Sequence, residues 1–159
     1  LRIGNIYCTD KENFNKVLEK SQVLSTAGGA TSISMVAATA AMNDSEYYLD
    51  GFIKHLEENR NYAVDFINKL PMLKDYRPKS TYLLYVDIKE TGMEAEEFTE
   101  YLKKTVDLAI IPGGKKFFGD QSEGHVRICF ATSREILEEG LNRLKEGVLT
   151  LAERNTNND

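Results

Sequence analysis

Several residue types are scarce in this chain of 159 residues, and their scarcity excludes whole classes of protein. There is no tryptophan, and the two cysteines, Cys8 and Cys129, are far apart and form no CxxC pair. They predict neither a disulfide framework nor a zinc site, and they suit a reducing cytoplasm. With 20 basic and 25 acidic residues, no basic stripe is available for nucleic acid. No apolar run approaches the ~20 residues that cross a bilayer. We therefore expect a cytoplasmic protein without nucleic-acid or membrane partners.

What is present predicts an α+β domain. Apolar periodicity and turn residues indicate a strand over 1–8 and a helix after it, then an alanine-rich helix over 31–42 and a long helix over 44–70. Next come a strand over 81–88, a helix around 95–106, and short strands in "LAIIPGG" and "HVRICFA". The final helix carries Leu137, Leu141, Leu144 and Val148 on one side. This order predicts a small, mostly antiparallel sheet with helices on one face, together with one long helix. We expect the strand over 81–88 to be central in the sheet.

Four Thr/Asn–Glu pairs three residues apart indicate helix starts. They are Thr9/Glu12, Asn43/Glu46, Thr91/Glu94 and Thr132/Glu135. In the long helix, Asn59 and Arg60 interrupt the apolar face, which suggests that this helix bridges two packing environments. His55 lies among charged residues of the same helix and is predicted to be a surface residue. The polar tail over 152–159 is predicted to be disordered.

Arg127 is the residue that most needs an explanation, because it lies inside the apolar strand "GHVRICFATS". Side chains alternate between the two faces of a strand, so Val126 and Ile128 share one face while Arg127 lies on the other with His125 and Cys129. Arg127 is therefore expected off the core face. Two interpretations remain open: a solvent-facing arginine, or a clamp for a carboxylate or phosphate, which the planar guanidinium binds through two donors.

Two other candidate motifs fail on spacing. "PGGKKFFG", residues 112–119, is not a phosphate-binding loop, because Lys116 stands where that motif needs serine or threonine; we expect a glycine turn between strands. His125 and Cys129 share a strand face, but four residues along a strand span ~13 Å, too far for a nucleophile and its base. Residue chemistry by itself reveals no catalytic constellation and proposes no metal site.

Three stretches, taken together, resemble one enzyme family. Residues 108–146 carry a strand, a Pro-Gly turn, a Phe-Gly pair, the strand "GHVRICFA" and a helix of the pattern E-x-L-x-E-x-x-x-R-L. This stretch is similar to the C-terminal end of class I/II, fold-type I aminotransferases that depend on pyridoxal phosphate, the aspartate-aminotransferase-like superfamily. "TSISMVAATAAMND" resembles the segment before that family's interdomain helix, and "LRIGNIY" resembles its "GLRIGY" strand. The turn "PGGKKFFG" is two residues longer than the family's PGxxFG, and Met35 stands where the family often has glutamine.

The resemblance implies roles for two residues. Arg127 matches the arginine that holds the α-carboxylate of the substrate, and Arg2 matches the arginine that binds the phosphate of the cofactor. The family moves an amino group between an amino acid and a 2-oxo acid, with pyridoxal phosphate as the electron sink. The Schiff-base lysine would precede Leu1. We therefore expect a chain that is inactive by itself, whose full-length parent binds pyridoxal phosphate and forms a homodimer.

The resemblance also implies a domain organisation. Residues 1–30 would be a remnant of the large cofactor domain, 31–151 the interdomain helix and the small C-terminal domain, and 152–159 a disordered tail. Because the chain opens on an apolar, strand-like segment without methionine, we expect it to be part of a longer protein. Ile3 and Tyr7 would then lack their sheet neighbours, so we expect an exposed apolar patch there that tends to pair with a second copy.

Two alternatives remain. The chain could be a non-enzymatic α+β module that binds a ligand or a partner, with Arg127 facing solvent or a small anion. The parent could also catalyse another pyridoxal-phosphate reaction on the same scaffold, such as the β-elimination of a C–S lyase or a decarboxylation.

Overall fold

The computed structural model describes residues 3–4, 6–22, 29–119 and 122–156, with the side chains of 155 and 156 left out. The chain forms two compact units, Leu1–Gly51 and Phe52–Asp159. No helix among these residues is both long enough and apolar enough to span a membrane.

The first unit consists of helices. Helix α1 covers Lys11–Ser21, α2 covers Ser32–Asp44, and α3, Glu46–Ile67, begins in this unit. The alanine-rich helix is confirmed, with Thr31 as its N-cap. The cap of α1 is Asp10 rather than Thr9, because the Asp10 carboxylate accepts a hydrogen bond from the Asn13 amide at 2.7 Å. Asn43 lies within α2, so it does not cap α3.

The predicted strand over 1–8 is wrong for the residues that are described there. Residues 3–4 and 6–8 belong to no strand, because none of the described residues forms a ladder with them. Ile3 and Tyr7, the residues named for the expected apolar patch, are 46% and 86% exposed, and Ile6 is 65% exposed; pairing with a second copy stays a prediction. Exposed apolar side chains continue along the unit: Ile3, Phe14, Val17, Ile33, Met35, Val36, Met42, Tyr47, Tyr48 and Leu49. Among its described residues only Ser34 is buried.

The second unit is an α+β domain. After α3 follow β1 (Leu83–Asp87), a 3₁₀ turn (Lys89–Thr91), α4 (Ala95–Val106), β2 (Ile111–Pro112), α5 (Lys115–Phe118), β3 (His125–Cys129) and α6 (Arg134–Thr156). The predicted α+β class, with a small antiparallel sheet, is confirmed. Helix α3 ends at Ile67, three residues before the predicted end at Leu70. Helix α6 extends to Thr156, so residues 152–156 are helical where a disordered tail was predicted; residues 157–159 lie outside the described residues.

The sheet has the strand order β1-β3-β2, and both pairings are antiparallel. The central strand is therefore β3, and the prediction that the strand over 81–88 is central is wrong. In β1 only Leu84 and Val86 are buried, while Tyr85 between them is exposed. This one-sided burial is typical of an antiparallel strand with one face open.

One face of the sheet and three helices build the core. The sheet contributes Leu84, Val86, Val126 and Phe130; the helices contribute Ala63, Val64 and Ile67 from α3, Ala95, Phe98 and Leu102 from α4, and Leu137, Leu141, Leu144 and Val148 from α6. The apolar stripe predicted for the last helix is thus buried, and helices α3, α4 and α6 pack on one face. The opposite face, called the open face below, carries the exposed Tyr85 side chain and contacts the short helix α5 through Phe118.

Two further helix starts differ from the predicted cap pairs. Thr91 lies in the 3₁₀ turn, and the first amide of α4, at Ala95, donates instead to the carboxylate of Glu123 at 2.9 Å. At α6 the Ser133 hydroxyl accepts from the Ile136 amide at 3.4 Å, so Ser133 rather than Thr132 supplies the cap. In both places a neighbouring acceptor reaches the free amide better than the predicted threonine does.

Asp75 is a buried carboxyl group in this unit. It is 7% exposed, and within the described residues its Oδ2 atom has no hydrogen-bond partner. Burial raises its pKa from 3.8 to about 6, an effect that the hydrogen bond from the Tyr76 backbone opposes. Because the folded pKa is raised, protonated Asp75 favours the folded state. That contribution is fully present below pH 3.8 and is lost as the pH rises through about 6.

We predict that Asp75→Asn, which mimics the neutral form, stabilises the chain selectively at high pH. The free energy of unfolding should rise by about 1–2 kcal/mol at pH 8 and by much less at pH 4. Urea unfolding at both pH values measures this difference. Asp50→Asn, at an exposed position, serves as the control. Equal effects of Asp75→Asn at pH 4 and pH 8 would contradict the assignment.

Candidate functional site

Arg127 lies in the middle of the central strand. It is paired with Tyr85 of β1 on one side and with Ile111 of β2 on the other. Its strand neighbour Val126 is 1% exposed and points into the core, whereas Arg127 is half-buried on the open face. The expectation that Arg127 lies off the core face is therefore confirmed. Hydrogen bonding on both edges of β3 makes this a rigid place for a side chain.

A cleft of about 670 Å³ opens beside Arg127. Its lining consists of Asp75, Tyr76, Pro78, Thr81, Leu83, Leu84, Tyr85, Phe118, Ser122, His125 and Arg127. In the described part of the chain, no acidic side chain lies within 4.0 Å of the Arg127 guanidinium. A half-buried guanidinium without an acidic partner, at the wall of a cleft, has N–H donors available for an anionic group.

One aromatic ring lies over this guanidinium, and two further rings continue from it. The Phe118 ring centroid lies 5.5 Å from Cζ of Arg127. Tyr85 meets Phe118 edge to face at 5.8 Å and stacks on the His125 imidazole at 4.8 Å, with 6° between the ring planes. Aromatic walls restrict water beside a charged group, which strengthens the attraction between that group and a ligand of opposite charge. The cleft therefore combines the Arg127 cation with aromatic side chains and with the buried carboxyl group of Asp75.

The turn before β3 holds Phe118 in this position. The Gly113 amide donates to the His125 carbonyl at 2.8 Å, and the Gly114 amide donates to Oγ of Ser122 at 3.0 Å. The Tyr85 hydroxyl donates to the Ser122 carbonyl at 3.0 Å, so β1 is fastened to the same turn. The residues of "PGGKKFFG" thus form the predicted glycine turn between β2 and β3, and they also contain the short helix α5, which was not predicted.

Glu123, at the end of this turn, binds two backbone amides. Its Oε1 atom accepts hydrogen bonds from the Ala95 amide at 2.9 Å and the Gly124 amide at 3.2 Å. These two backbone donors lower the pKa of the Glu123 carboxyl. One carboxylate therefore links the start of α4 to the residue before β3.

Two residues of α3 hold the far end of the Arg127 strand. Asn59 is fully buried, and its side-chain amide donates to the carbonyls of Phe130 at 3.1 Å and Thr132 at 2.9 Å. Nε2 of His55 lies 2.8 Å from the same Thr132 carbonyl. The prediction that His55 is a surface residue is therefore wrong, because it is half-buried against this strand end. Asn59 interrupts the apolar stripe of α3 because its side chain binds the carbonyls that follow β3.

The other candidate residues from the sequence, His125, Cys129 and Arg2, differ in where the structure places them. His125 stacks on Tyr85, and its Nε2 atom lies 3.8 Å from Oδ2 of Asp87, while Cys129 is exposed and forms no disulfide. Arg2 lies outside the described residues. Phe118, Tyr85, Ser122 and Asn59 are site residues that pattern reasoning missed.

The described residues do not form a pyridoxal-phosphate site by themselves. No lysine lines the cleft beside Arg127, and Arg127 is its one guanidinium. A pyridoxal-phosphate enzyme needs a lysine for the Schiff base and further donors for the phosphate. What the described residues offer is one guanidinium beside a cleft.

Known proteins that resemble this chain are aminotransferases and lyases. An aspartate aminotransferase from Pyrococcus horikoshii is 32% identical over 123 residues, which cover 76% of this chain and 31% of that enzyme. A cystathionine beta-lyase from Corynebacterium glutamicum is 34% identical over 119 residues, 75% of this chain and 31% of that enzyme. No family model matches.

Solved structures give the same result. An aromatic aminotransferase from Pyrococcus horikoshii OT3 has a TM-score of 0.73 at 28% identity, covering 88% of this chain and 36% of that one. The PLP-bound C-S lyase from Staphylococcus hominis has a TM-score of 0.73 at 29% identity, covering 87% and 36%. The chain therefore spans about a third of the length of the proteins that it matches.

We predict that Gly113→Ala disrupts the turn that carries Phe118. An added Cβ would lie 2.5 Å from the carbonyl oxygens of His125 and Ser122, both backbone atoms, and 2.8 Å from the Tyr85 hydroxyl. The free energy of unfolding should fall by about 1–3 kcal/mol, since the backbone must shift. Gly51→Ala is the matched control: its Cβ meets nothing within 4 Å, so this helical position should gain about 0.5–1 kcal/mol. Equal effects of the two substitutions in urea unfolding would show that the turn is not tightly packed.

Proposed function

We propose a function for this chain from its family: it belongs to the fold-type I enzymes that depend on pyridoxal phosphate, and it corresponds to a C-terminal portion of them. The proposed parent is an aminotransferase that moves an amino group between an amino acid and a 2-oxo acid. In that enzyme Arg127 binds the α-carboxylate of the substrate. The observation that supports this role is the half-buried Arg127 guanidinium, without an acidic partner in the described chain, at the wall of an aromatic cleft.

The chemistry of the substrates fits one such receptor. An amino acid and a 2-oxo acid differ at the α-carbon but share the α-carboxylate. A guanidinium keeps its positive charge at all physiological pH values and binds a carboxylate through two parallel N–H donors. One arginine can therefore orient both substrates, so that the reacting α-carbon occupies the same place in each half of the reaction.

The residues of this chain bind and orient the substrate rather than perform the bond-breaking steps. Pyridoxal phosphate, when bound, supplies the electron sink for the reaction at the α-carbon. Arg127 fixes the carboxylate, and the rings of Phe118 and Tyr85 limit the access of water to it. The Schiff-base lysine belongs to a part of the parent outside this chain, so the chain alone is inactive.

Residues 1–30 are proposed to be a remnant of the large cofactor domain, with Arg2 as a contact of the cofactor phosphate. The exposed apolar side chains of the first unit support this assignment, because such surfaces are normally covered. The proposal extends to the parent as a cytoplasmic homodimer.

The second candidate function is the β-elimination of a C–S lyase. Relatives with that activity match this chain as well as the aminotransferases do. A lyase substrate also carries an α-carboxylate, so Arg127 would have the same role. The two reactions are distinguished by products: an aminotransferase converts an added 2-oxo acid to an amino acid, whereas a C–S lyase releases a thiol from a thioether amino acid.

We predict that Arg127→Ala in the enzyme that contains this chain lowers kcat/KM for amino acids about 30- to 5,000-fold. This corresponds to the roughly 2–5 kcal/mol lost when one partner of a buried ion pair is removed. Steady-state kinetics with several amino acids measures the change. Arg77→Ala, which removes an exposed ion pair with Asp65, should leave kcat/KM unchanged. A normal kcat/KM in Arg127→Ala would contradict the assignment of Arg127 as the carboxylate-binding residue.

The reading frame upstream of Leu1 separates the enzyme from a free-standing module. A preceding segment of about two domain lengths, with a Ser-Lys pair shortly before Leu1, supports the enzyme. A start codon at the first residue would favour the non-enzymatic module that binds a ligand or a partner.

A further inference from the structure

The conformation of Arg127 needs a cause, because none of the acidic residues that the structure describes forms an ion pair with it. An arginine side chain has several rotatable bonds, and fixing it costs up to ~2 kcal/mol of conformational entropy. A carboxylate partner could fix the guanidinium, but it would also neutralise the charge and compete with a carboxylate ligand. In the described part of the chain, the group that covers the guanidinium is the Phe118 ring, 5.5 Å from Cζ.

Phe118 is itself held from two sides. Its ring meets the edge of Tyr85 at 5.8 Å, and Tyr85 is anchored by its stacking on His125 and by its hydroxyl, which donates to the Ser122 carbonyl. The backbone amide of Phe118 donates to the Gly114 carbonyl at 3.0 Å. The ring is thus part of a fixed array that reaches from β1 through the turn to β3.

We propose that Phe118 is a positioning residue, whose ring holds the Arg127 guanidinium at the wall of the cleft while leaving its charge available to a ligand. A neutral ring attracts a cation through its quadrupole and takes up none of the guanidinium N–H donors. This role rests on the proposed function, since it matters only if Arg127 binds a carboxylate.

The neighbouring Phe117 offers a matched control. The two rings are 49% and 44% exposed, in the same short helix. The Phe117 ring lies 5.3 Å from Nζ of Lys116, whereas only Phe118 is described over Arg127. The same substitution at the two positions therefore removes a ring of equal size and similar exposure, but only one of the changes uncovers Arg127.

The test uses the 159-residue chain labelled with ¹⁵N. The Nε–H signal of Arg127 reports the order of the side chain by its heteronuclear NOE, and titration with pyruvate reports the affinity for a carboxylate. In Phe118→Leu we expect a lower NOE at Arg127 and an affinity for pyruvate that is two- to fivefold weaker, as the loss of a partly exposed cation–π contact implies. Phe117→Leu should leave both unchanged, and Phe118→Tyr, which keeps the ring, should retain both.

The readouts separate this inference from the proposed function. If the chain with Phe118 binds pyruvate and Phe118→Leu changes neither affinity nor NOE, the positioning role is overturned while the carboxylate receptor stands. If the unaltered chain does not bind pyruvate, this chain by itself is not a carboxylate receptor, and the kinetics of Arg127→Ala in the enzyme that contains it decide the receptor role. The NOE then decides the positioning role by itself: a fall in Phe118→Leu supports it, and no change overturns it. A dispersed amide spectrum and an unchanged far-UV circular dichroism spectrum confirm that each variant is folded.

Discussion

The antiparallel pairing of β1 with β3 is the constraint on which the candidate site depends. Its register places Tyr85 opposite Arg127 and Val86 opposite Val126. A slip by one residue would turn every side chain to the other face, moving Val126 out of the core and a permanent cation into it. Burying an unpaired charge costs several kcal/mol, so the apolar core enforces the register. The packing that stabilises the domain thereby also orients Arg127 toward the open face.

The ends of this strand are fixed by polar contacts, which apolar packing cannot supply. Asn59 and His55 bind the carbonyls that follow β3, and Glu123 binds the amide of the residue before it. These contacts set the position of the strand along its own axis. The turn before β3 then brings the Phe118 ring to the guanidinium. The site is therefore built from long-range contacts between α3, β1, the turn and β3, rather than from one local motif.

The sequence predicted well whatever depends on local periodicity. The apolar stripe of α6, the alanine-rich α2 and the alternation that takes Arg127 off the core face all follow from the spacing of residues along one element. The predicted capping residues were wrong where two possible acceptors are adjacent, as with Thr9 and Asp10. They were also wrong where a residue distant in sequence supplies the acceptor, as Glu123 does for α4. Strand order depends on which strands meet in three dimensions, and the apolar side chains of β1 do not contain that information.

The predictions that were wrong for residues 1–8 and His55 also failed because they depend on contacts between distant parts of the chain. Alternation over 1–8 predicted a strand, but a strand exists only where a second one pairs with it. The ties of His55 and Asn59 to Thr132 span more than 70 residues, so helical spacing alone cannot reveal them. The contact of Phe118 with Arg127 depends on the path of the turn between β2 and β3, which the spacing of residues does not give. The role proposed for Arg127 comes from the family resemblance, because the chemistry of the residue by itself left two interpretations open.

The role of Arg127 is tested most directly by a crystal structure of the enzyme that contains this chain, with an amino-acid analogue bound. The account predicts a bidentate pair, with two guanidinium nitrogens of Arg127 each about 2.7–2.9 Å from a carboxylate oxygen of the analogue. A carboxylate bound by other residues, with Arg127 in solvent or paired to an acid of the protein, would contradict it.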